Sequence, residues 1–127
     1  VKKLIIQIQT ESKTIWKSRE LIRKIYIKQQ WWNRLFELLK QTESLENIET
    51  EEHYLAKDYT SELIQMYSMR LTNYVEKFIG REHYQKACRY LRRMKKLGGE
   101  TEVNSLIEHF RKTYPMRKAL LDELNKV

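Results

Sequence analysis

The sequence has little of what cross-links or interrupts a chain: one cysteine, one proline and three glycines in 127 residues. A single cysteine excludes an internal disulfide framework and any zinc module built from several cysteines. So few glycines and prolines argue against an all-β fold, whose many turns usually need them. No apolar run approaches the ~18 residues of a membrane span, and no signal-peptide pattern opens the chain. These absences predict a soluble, cytoplasmic, all-α protein that does not contact membranes.

The first half of the sequence predicts a long basic helical segment followed by an acidic loop. Apolar residues recur at helical spacing over residues 1–40, although Leu4, Ile6 and Ile8 also fit a short strand. A bend is expected near Gln29–Gln30, where no Gly or Pro marks it. The periodicity is lost over residues 41–52, which are acidic and rich in capping residues, so a loop is predicted there, with a short helix that begins near Glu51 as the alternative for its end. A main helix is predicted to run from Thr60, the expected N-cap, to Ile79.

Residues 53–127 predict helices joined by very short links, which makes consecutive helices antiparallel neighbours. A helix over residues 82–97 ends at Gly98–Gly99, and Pro115 begins the last helix at a first-turn position. The predicted buried sides of these two helices are Tyr84, Ala87, Cys88, Leu91 and Met94 in one, and Met116, Leu120 and Leu124 in the other. We therefore predict a single helical domain over residues 1–127 made of αα-hairpins, either a helical bundle or a small solenoid of the TPR or HEAT type. No fixed repeat period is present.

The net charge of +8 is distributed unevenly along the chain. Residues 1–40 carry +7, residues 41–65 carry −6 and residues 66–98 carry +7, whereas the remainder is neutral. We expect the acidic segment to fold back onto a basic helix and neutralise part of its positive field. The sequence therefore does not predict a uniform nucleic-acid-binding charge.

The densest basic stretch lies in the predicted helix over residues 82–97. Five of its side chains are candidate nucleic-acid-binding residues: Lys86, Arg89, Arg92, Arg93 and Lys96. A basic helix face can contact the phosphates of DNA or RNA. The alternative is a solvated face that only keeps the protein soluble, since no base-reading motif, glycine-rich phosphate loop or RNA-binding aromatic signature accompanies the charge.

No constellation typical of catalysis or metal binding is present in the sequence, which predicts neither an enzyme nor a bound cofactor. The histidines lack a second histidine or a cysteine at metal-ligand spacing, which indicates surface or capping roles for His53, His83 and His109. Cys88 falls in an apolar stripe and is predicted to pack as a small hydrophobe. Trp31 and Trp32 point about 100° apart on a helix, so one of them is a candidate interface residue.

Two stretches carry a distinctive helix pattern. YQKACRYLRRMKKL has the spacing Tyr-x-x-Ala-x-x-x-Leu-basic-basic, and MRKALLDELNKV closes with Arg-Lys-x-Leu-x-x-Glu-Leu-x-Lys. The matching residues are Tyr84, Ala87, Leu91, Arg92, Arg93, Lys95 and Lys96, then Arg117, Lys118, Leu120, Glu123, Leu124 and Lys126. Together with the upstream YLAKDYTSELIQMYSMRL, this pattern resembles the C-terminal helical region of bacterial SWIM zinc-finger proteins over about residues 51–127.

The resemblance implies a non-catalytic scaffold that mediates protein–protein contacts, with a helicase-like ATPase as the expected class of partner. The zinc signature of the family, Cys-x-Cys followed by Cys-x-His, is absent from this chain, so zinc is implied only for an upstream part of a parent protein. The start at Val1 without an initiator Met fits the C-terminal portion of a longer protein. The alternative function is an accessory nucleic-acid-binding module that uses the basic helix face.

Overall fold

The computed structural model describes residues 15–42 and 44–127. The regular elements over these residues are all α-helices: α1 Ile15–Lys28, α2 Trp32–Lys40, α3 Leu45–Lys77, α4 Arg81–Lys96, α5 Glu100–Thr113 and α6 Lys118–Leu124. The all-α prediction is confirmed for this part of the chain. The start of the predicted basic helical segment lies outside the described residues. None of the helices described is long and apolar enough to cross a membrane.

The contacts within the chain group it into two compact units, Val1–Thr42 and Glu43–Val127, and the single helical domain stays a prediction. The first, which we call the N-terminal unit, contains α1 and α2 joined by a turn at Gln29–Gln30. Gln30 adopts a φ of 55°, a left-handed conformation that is uncommon for residues other than glycine. The predicted bend is therefore confirmed, and the Arg19 guanidinium donates a hydrogen bond to the carbonyl oxygen of Leu38 across the two helices.

In the second unit, the C-terminal unit, helix α3 is folded back on itself at Tyr59. This residue has the non-helical angles φ −125° and ψ 28°. The hydroxyl of Tyr67 donates a hydrogen bond to Glu52 Oε1 at 2.7 Å across the bend, although in a straight helix the two residues would lie about 22 Å apart along the axis. Residues 45–58 and 60–77 therefore pack side by side as two legs, which we call the acidic leg and the central leg.

The acidic leg takes the place of the loop predicted over residues 41–52. Helix α3 begins at Leu45, and the side chain of Ser44 caps its first turn. The loop prediction is wrong for residues 45–52, because Leu45 and Ile48 in this segment, with Leu55 beyond it, are buried at helical spacing and form an apolar face. Tertiary packing of that face, rather than local propensity, stabilises the helix.

Three further predictions made from single residues are wrong. Thr60 does not cap a helix, because its hydroxyl donates a hydrogen bond to the carbonyl oxygen of Ala56 in the preceding turn. Pro115 lies in a turn and not in the first turn of the last helix, since α6 begins only at Lys118. Met116 lies in the same turn and is 86% exposed, where the sequence predicted it to be buried.

The C-terminal unit is organised around α4, which contacts α3, α5 and α6. The apolar stripe predicted for α4 is confirmed as buried: Tyr84, Ala87, Cys88, Leu91 and Met94. Gly98 follows the helix with a φ of 95°, which confirms the predicted glycine stop. The arrangement of the helices as hairpins of a bundle or solenoid stays a prediction.

A buried carboxylate anchors α6 to the start of α4. The side chain of Glu123 is 5% exposed and pairs with Arg81 and, at 3.1 Å, with Lys126. Arg81 also pairs with Asp122 at 2.9 Å. These ion pairs offset the free-energy cost of removing the Glu123 carboxylate from water, a cost that an unpaired buried charge would leave uncompensated.

Candidate functional site

Part of the basic face of α4 pairs with the acidic leg. Four ion pairs connect them: Lys86 with Glu46, Arg89 with Glu49 at 3.1 Å, Arg93 with Glu49 at 3.3 Å, and Arg93 with Glu52 at 2.8 Å. We call this set of side chains the ladder. Three of the five candidate nucleic-acid-binding residues thus have carboxylate partners within the unit. The expectation that the acidic segment folds back onto a basic helix is confirmed.

Two buried tyrosines extend the ladder into the core. The hydroxyl of Tyr67 donates to Glu52 Oε1 at 2.7 Å, and the hydroxyl of Tyr90 donates to Glu49 Oε1 at 2.9 Å. Both side chains are fully buried, with ring centroids 5.8 Å apart. Each glutamate therefore accepts hydrogen bonds from a buried hydroxyl and from an arginine nearer the surface, which fixes how the acidic leg packs on the rest of the unit.

The ladder changes the acidity of its own groups. Burial acts to raise the pKa of Glu49, but hydrogen bonds from Tyr90 and Arg89 outweigh it, and the pKa is lowered. Burial likewise opposes the effect of Lys86 on Glu46, whose pKa is also lowered. Burial and the hydrogen bond to Glu49 raise the pKa of Tyr90 to about 12. At neutral pH the carboxylates are therefore held ionised and the tyrosine neutral.

Glu49→Gln is predicted to make the free energy of unfolding less dependent on pH in the acidic range. Because the folded-state pKa of Glu49 lies below its ordinary 4.5, its carboxylate stabilises the fold above that pH, and this stabilisation is lost as the pH falls through the folded-state pKa. We expect the substitution to lower the free energy of unfolding by about 1 kcal/mol at neutral pH. At a pH below the folded-state pKa of Glu49 the loss should be much smaller, because the side chains of glutamate and glutamine are then both neutral.

Urea denaturation at the two pH values measures this difference. Glu62→Gln is the matched control, because Glu62 is exposed and has no ion-pair partner among the residues described. It should follow the wild type at both pH values. An equal loss at both pH values for Glu49→Gln would show that its effect is not electrostatic.

Three of the five candidate nucleic-acid-binding residues, Arg89, Arg92 and Lys96, are exposed, and Arg89 is the one of these that pairs with a carboxylate. Arg92 and Lys96 have no carboxylate partner in the described part of the chain, and Arg92 donates one long hydrogen bond, 3.4 Å, to the carbonyl oxygen of Lys126. Lys95, between them in the helix, donates to Val127 O at 3.1 Å. The structure therefore does not bring the five residues together as one open cationic face.

The other candidate interface residues, Trp31 and Trp32, lie in the N-terminal unit and are both half-buried. The Trp31 ring lies 6.1 Å from the ring of Tyr26, between centroids. The Arg34 guanidinium lies 4.3 Å from the centroid of the Trp31 ring, within the range of a cation–π contact. Trp31 is thus held by neighbours in its own unit, and an interface role for either tryptophan stays a prediction.

A cleft of about 300 Å³ lies at the open end of the two legs of α3. The start of the acidic leg, the end of the central leg and one residue of α4 line it. Its charged lining residues are Arg70, Lys77, Lys86 and Glu46. Lys86 pairs with Glu46, whereas Lys77 has no ion-pair partner among the described residues. We call this feature the leg cleft.

Aromatic rings form one wall of the leg cleft. Tyr74 and Phe78 both line it, with ring centroids 4.7 Å apart. The His83 ring lies 5.0 Å from the Phe78 ring, and its Nδ1 is 2.7 Å from the Tyr74 hydroxyl. Lys86 Nζ lies 5.2 Å from the centroid of the Tyr74 ring. Contacts with His83 and Lys86 therefore fix the position of this wall, and part of the Phe78 ring is exposed to solvent.

Large apolar side chains are exposed at the same end of the C-terminal unit. Phe78 and Ile79, in the link between α3 and α4, are 43% and 70% exposed. Met116 lies in the link between α5 and α6. Its neighbour Arg117 donates a hydrogen bond to the carbonyl oxygen of Val75 at 2.6 Å, which places this second link beside the end of the central leg. We call Phe78, Ile79 and Met116 the apolar end.

No group of three or more His, Cys, Asp or Glu side chains that could hold a metal ion occurs over the described ranges. Cys88 is buried, and burial raises the pKa of its thiol to about 11, so the thiol is protonated at neutral pH. Its predicted packing role is confirmed. His53 and His109 are exposed, as predicted, whereas His83 is half-buried against the cleft wall.

The described residues are all-α in their regular elements, and three cations of the densest basic helix pair with carboxylates of the same unit. No protein-family model, curated protein or solved structure matches the chain. The resemblance to bacterial SWIM zinc-finger proteins therefore stays a prediction that rests on the helix pattern of the sequence.

Sequence reasoning missed the leg cleft and the apolar end. Lys77 is isolated from the basic cluster in the sequence, and the reversal at Tyr59 that places it near the start of α3 has no Gly or Pro to signal it. One signal was present. The pair Phe78–Ile79 stands immediately before Gly80, so two large apolar residues fall in a link that would ordinarily be polar.

Proposed function

We propose that the chain is a non-catalytic helical scaffold that makes protein–protein contacts through the apolar end of its C-terminal unit. The observation that carries this proposal is the exposure of Phe78, Ile79 and Met116 at one end of a unit whose other large apolar side chains are mostly buried. Apolar side chains that cluster on a surface are typical of interaction sites. A partner that covers them would remove apolar area from water, which is the main driving force of association.

The ladder supports a protein partner over a nucleic acid. The acidic leg neutralises Lys86, Arg89 and Arg93, so few unpaired cations remain on α4 to displace counterions from a phosphate backbone. Contacts from Arg92 and Lys96 alone are expected to be weak and strongly reduced by salt. The resemblance to SWIM-type proteins agrees with a scaffold, and its implied partner is a helicase-like ATPase.

Site-specific photo-crosslinking in the native host tests this proposal. A photoreactive amino acid is placed at Ile79 or Met116 in the apolar end, and at Lys57 as the control. Lys57 is exposed and lies beside the bend at Tyr59, at the opposite end of the legs. We expect positions 79 and 116 to capture the same discrete protein, identified by mass spectrometry, and position 57 to capture none.

Equal capture from all three positions, or none from the apolar end, would contradict the proposal. Titration of the full chain with DNA and RNA at two salt concentrations addresses the nucleic-acid alternative. Binding at moderate salt that is lost when Arg92 and Lys96 are both replaced by alanine would favour that alternative over the scaffold.

A further inference from the structure

We propose that the leg cleft binds an acidic segment of a partner protein in which a carboxylate lies next to an aromatic or large aliphatic side chain. This inference rests on the proposed scaffold function and assigns to it a type of partner sequence. It follows from three features of the cleft: the charged side chains that line it, the start of helix α3 and the apolar wall.

The charges that line the cleft select an anion. Arg70 has an interaction of its own, so the selection depends on Lys77 and Lys86, which face the single carboxylate of Glu46 in the lining and leave a net charge of +1. An ammonium group has three donors, and Lys86 directs one of them to Glu46. A carboxylate that entered between Lys77 and Lys86 would meet donors from both and would compensate the excess positive charge.

The start of α3 adds to the positive field in the cleft. Ser44, Leu45 and Glu46 belong to the lining, so the N-terminal end of the helix opens onto it. Ser44 caps the amide of Asn47 at 3.3 Å. The first amides of a helix have no partner within it and carry the positive end of its dipole, which favours an anion.

The apolar wall favours a ligand that has an apolar group as well as a negative charge. Phe78 is 43% exposed and stacks on Tyr74, which is itself fixed by its hydrogen bond to His83. An aromatic or aliphatic side chain laid on Phe78 would bury the ring at little entropic cost, because the wall is already ordered. A ligand that carries both a carboxylate and an apolar group therefore fits the cleft better than inorganic phosphate does.

The size and position of the cleft favour a peptide segment of a protein. A volume of about 300 Å³ is at the lower end of the range for ligand pockets, enough for one or two side chains. Phe78 belongs to both the leg cleft and the apolar end. A partner that covers the apolar end can therefore place an acidic segment directly into the cleft.

Fluorescence anisotropy with the full chain tests the inference. The probe is the labelled peptide Gly-Asp-Glu-Phe-Asp-Gly, and the comparison peptide is its neutral counterpart Gly-Asn-Gln-Phe-Asn-Gly. We expect saturable binding of the acidic peptide only. Lys77→Glu should weaken it about tenfold, whereas Lys57→Glu, the same charge change at the far end of the legs, should leave it unchanged. Phe78→Ala should also weaken binding, with an unchanged circular dichroism spectrum.

Three outcomes would overturn the inference: no saturable binding, equal binding of the neutral peptide, or equal weakening by Lys57→Glu. Displacement of the peptide by inorganic phosphate at comparable concentration would instead assign the cleft to a phosphate ligand. Failure here is distinguishable from failure of the scaffold proposal, because capture of a partner from Ile79 and Met116 does not require an occupied cleft.

Discussion

Replacing Leu91 with alanine is expected to lower the free energy of unfolding of the C-terminal unit by about 2–5 kcal/mol. Leu91 has no exposed surface and lies in α4, the helix that contacts every other helix of its unit. Alanine at this position would lose the transfer free energy of the removed carbons and leave a cavity that the surrounding helices can only partly fill. Urea denaturation followed by far-ultraviolet circular dichroism measures the loss.

Met69→Ala is the control for this experiment, because Met69 lies on the central leg and is 61% exposed. Its effect should be about 0.5 kcal/mol or less. All three tryptophans fall within residues 1–42, so tryptophan fluorescence in the same titration reports on the N-terminal unit. A loss from Met69→Ala as large as that from Leu91→Ala would show that the stripe of α4 is not the core in solution.

The stripe of α4 was predictable because its apolar residues repeat at helical spacing between two clear stops. Tyr84, Leu91 and Met94 lie on one face, and glycines flank the helix at both ends. Such a segment can bury that face in only one secondary structure.

The acidic leg was not predictable by the same route. Its sequence alternates acidic and capping residues, and only Leu45, Ile48 and Leu55 form an apolar face. Its stability depends on arginines and tyrosines about 40 residues further along the chain, as in the hydrogen bond from Tyr90 to Glu49. Local propensity contains no information on such partners.

The candidate site could be predicted in its charge but not in its geometry. The alternation of basic and acidic segments predicted that one would neutralise the other, and the ladder confirms it. The leg cleft requires the reversal of α3 at Tyr59, where a single residue with non-helical angles changes the direction of the chain. The reversal depends on tertiary contacts and not on a helix-breaking residue, so no Gly or Pro in the sequence predicts it.

Glu52→Ala is expected to destabilise the C-terminal unit by about 1–3 kcal/mol, the cost of leaving a buried hydroxyl without an acceptor. The Glu52 carboxylate accepts hydrogen bonds from the Tyr67 hydroxyl at 2.7 Å and from Arg93 Nε at 2.8 Å. Arg93 keeps a second partner, Glu49, after the substitution, and it can also reach solvent. The hydroxyl of Tyr67 has neither option, because its side chain is fully buried. Urea denaturation again measures the loss.

The contribution of this one hydrogen bond can be isolated by a double-mutant cycle. Glu52→Gln keeps an oxygen that can accept from Tyr67 and removes only the charge, so it should cost less than Glu52→Ala. Tyr67→Phe removes the donor, so in that background Glu52→Ala should cost clearly less than in the wild type. The difference between the two costs is the coupling between residues that lie on opposite sides of the bend in α3. Additive losses would show that this hydrogen bond does not hold the acidic leg against the central leg in solution.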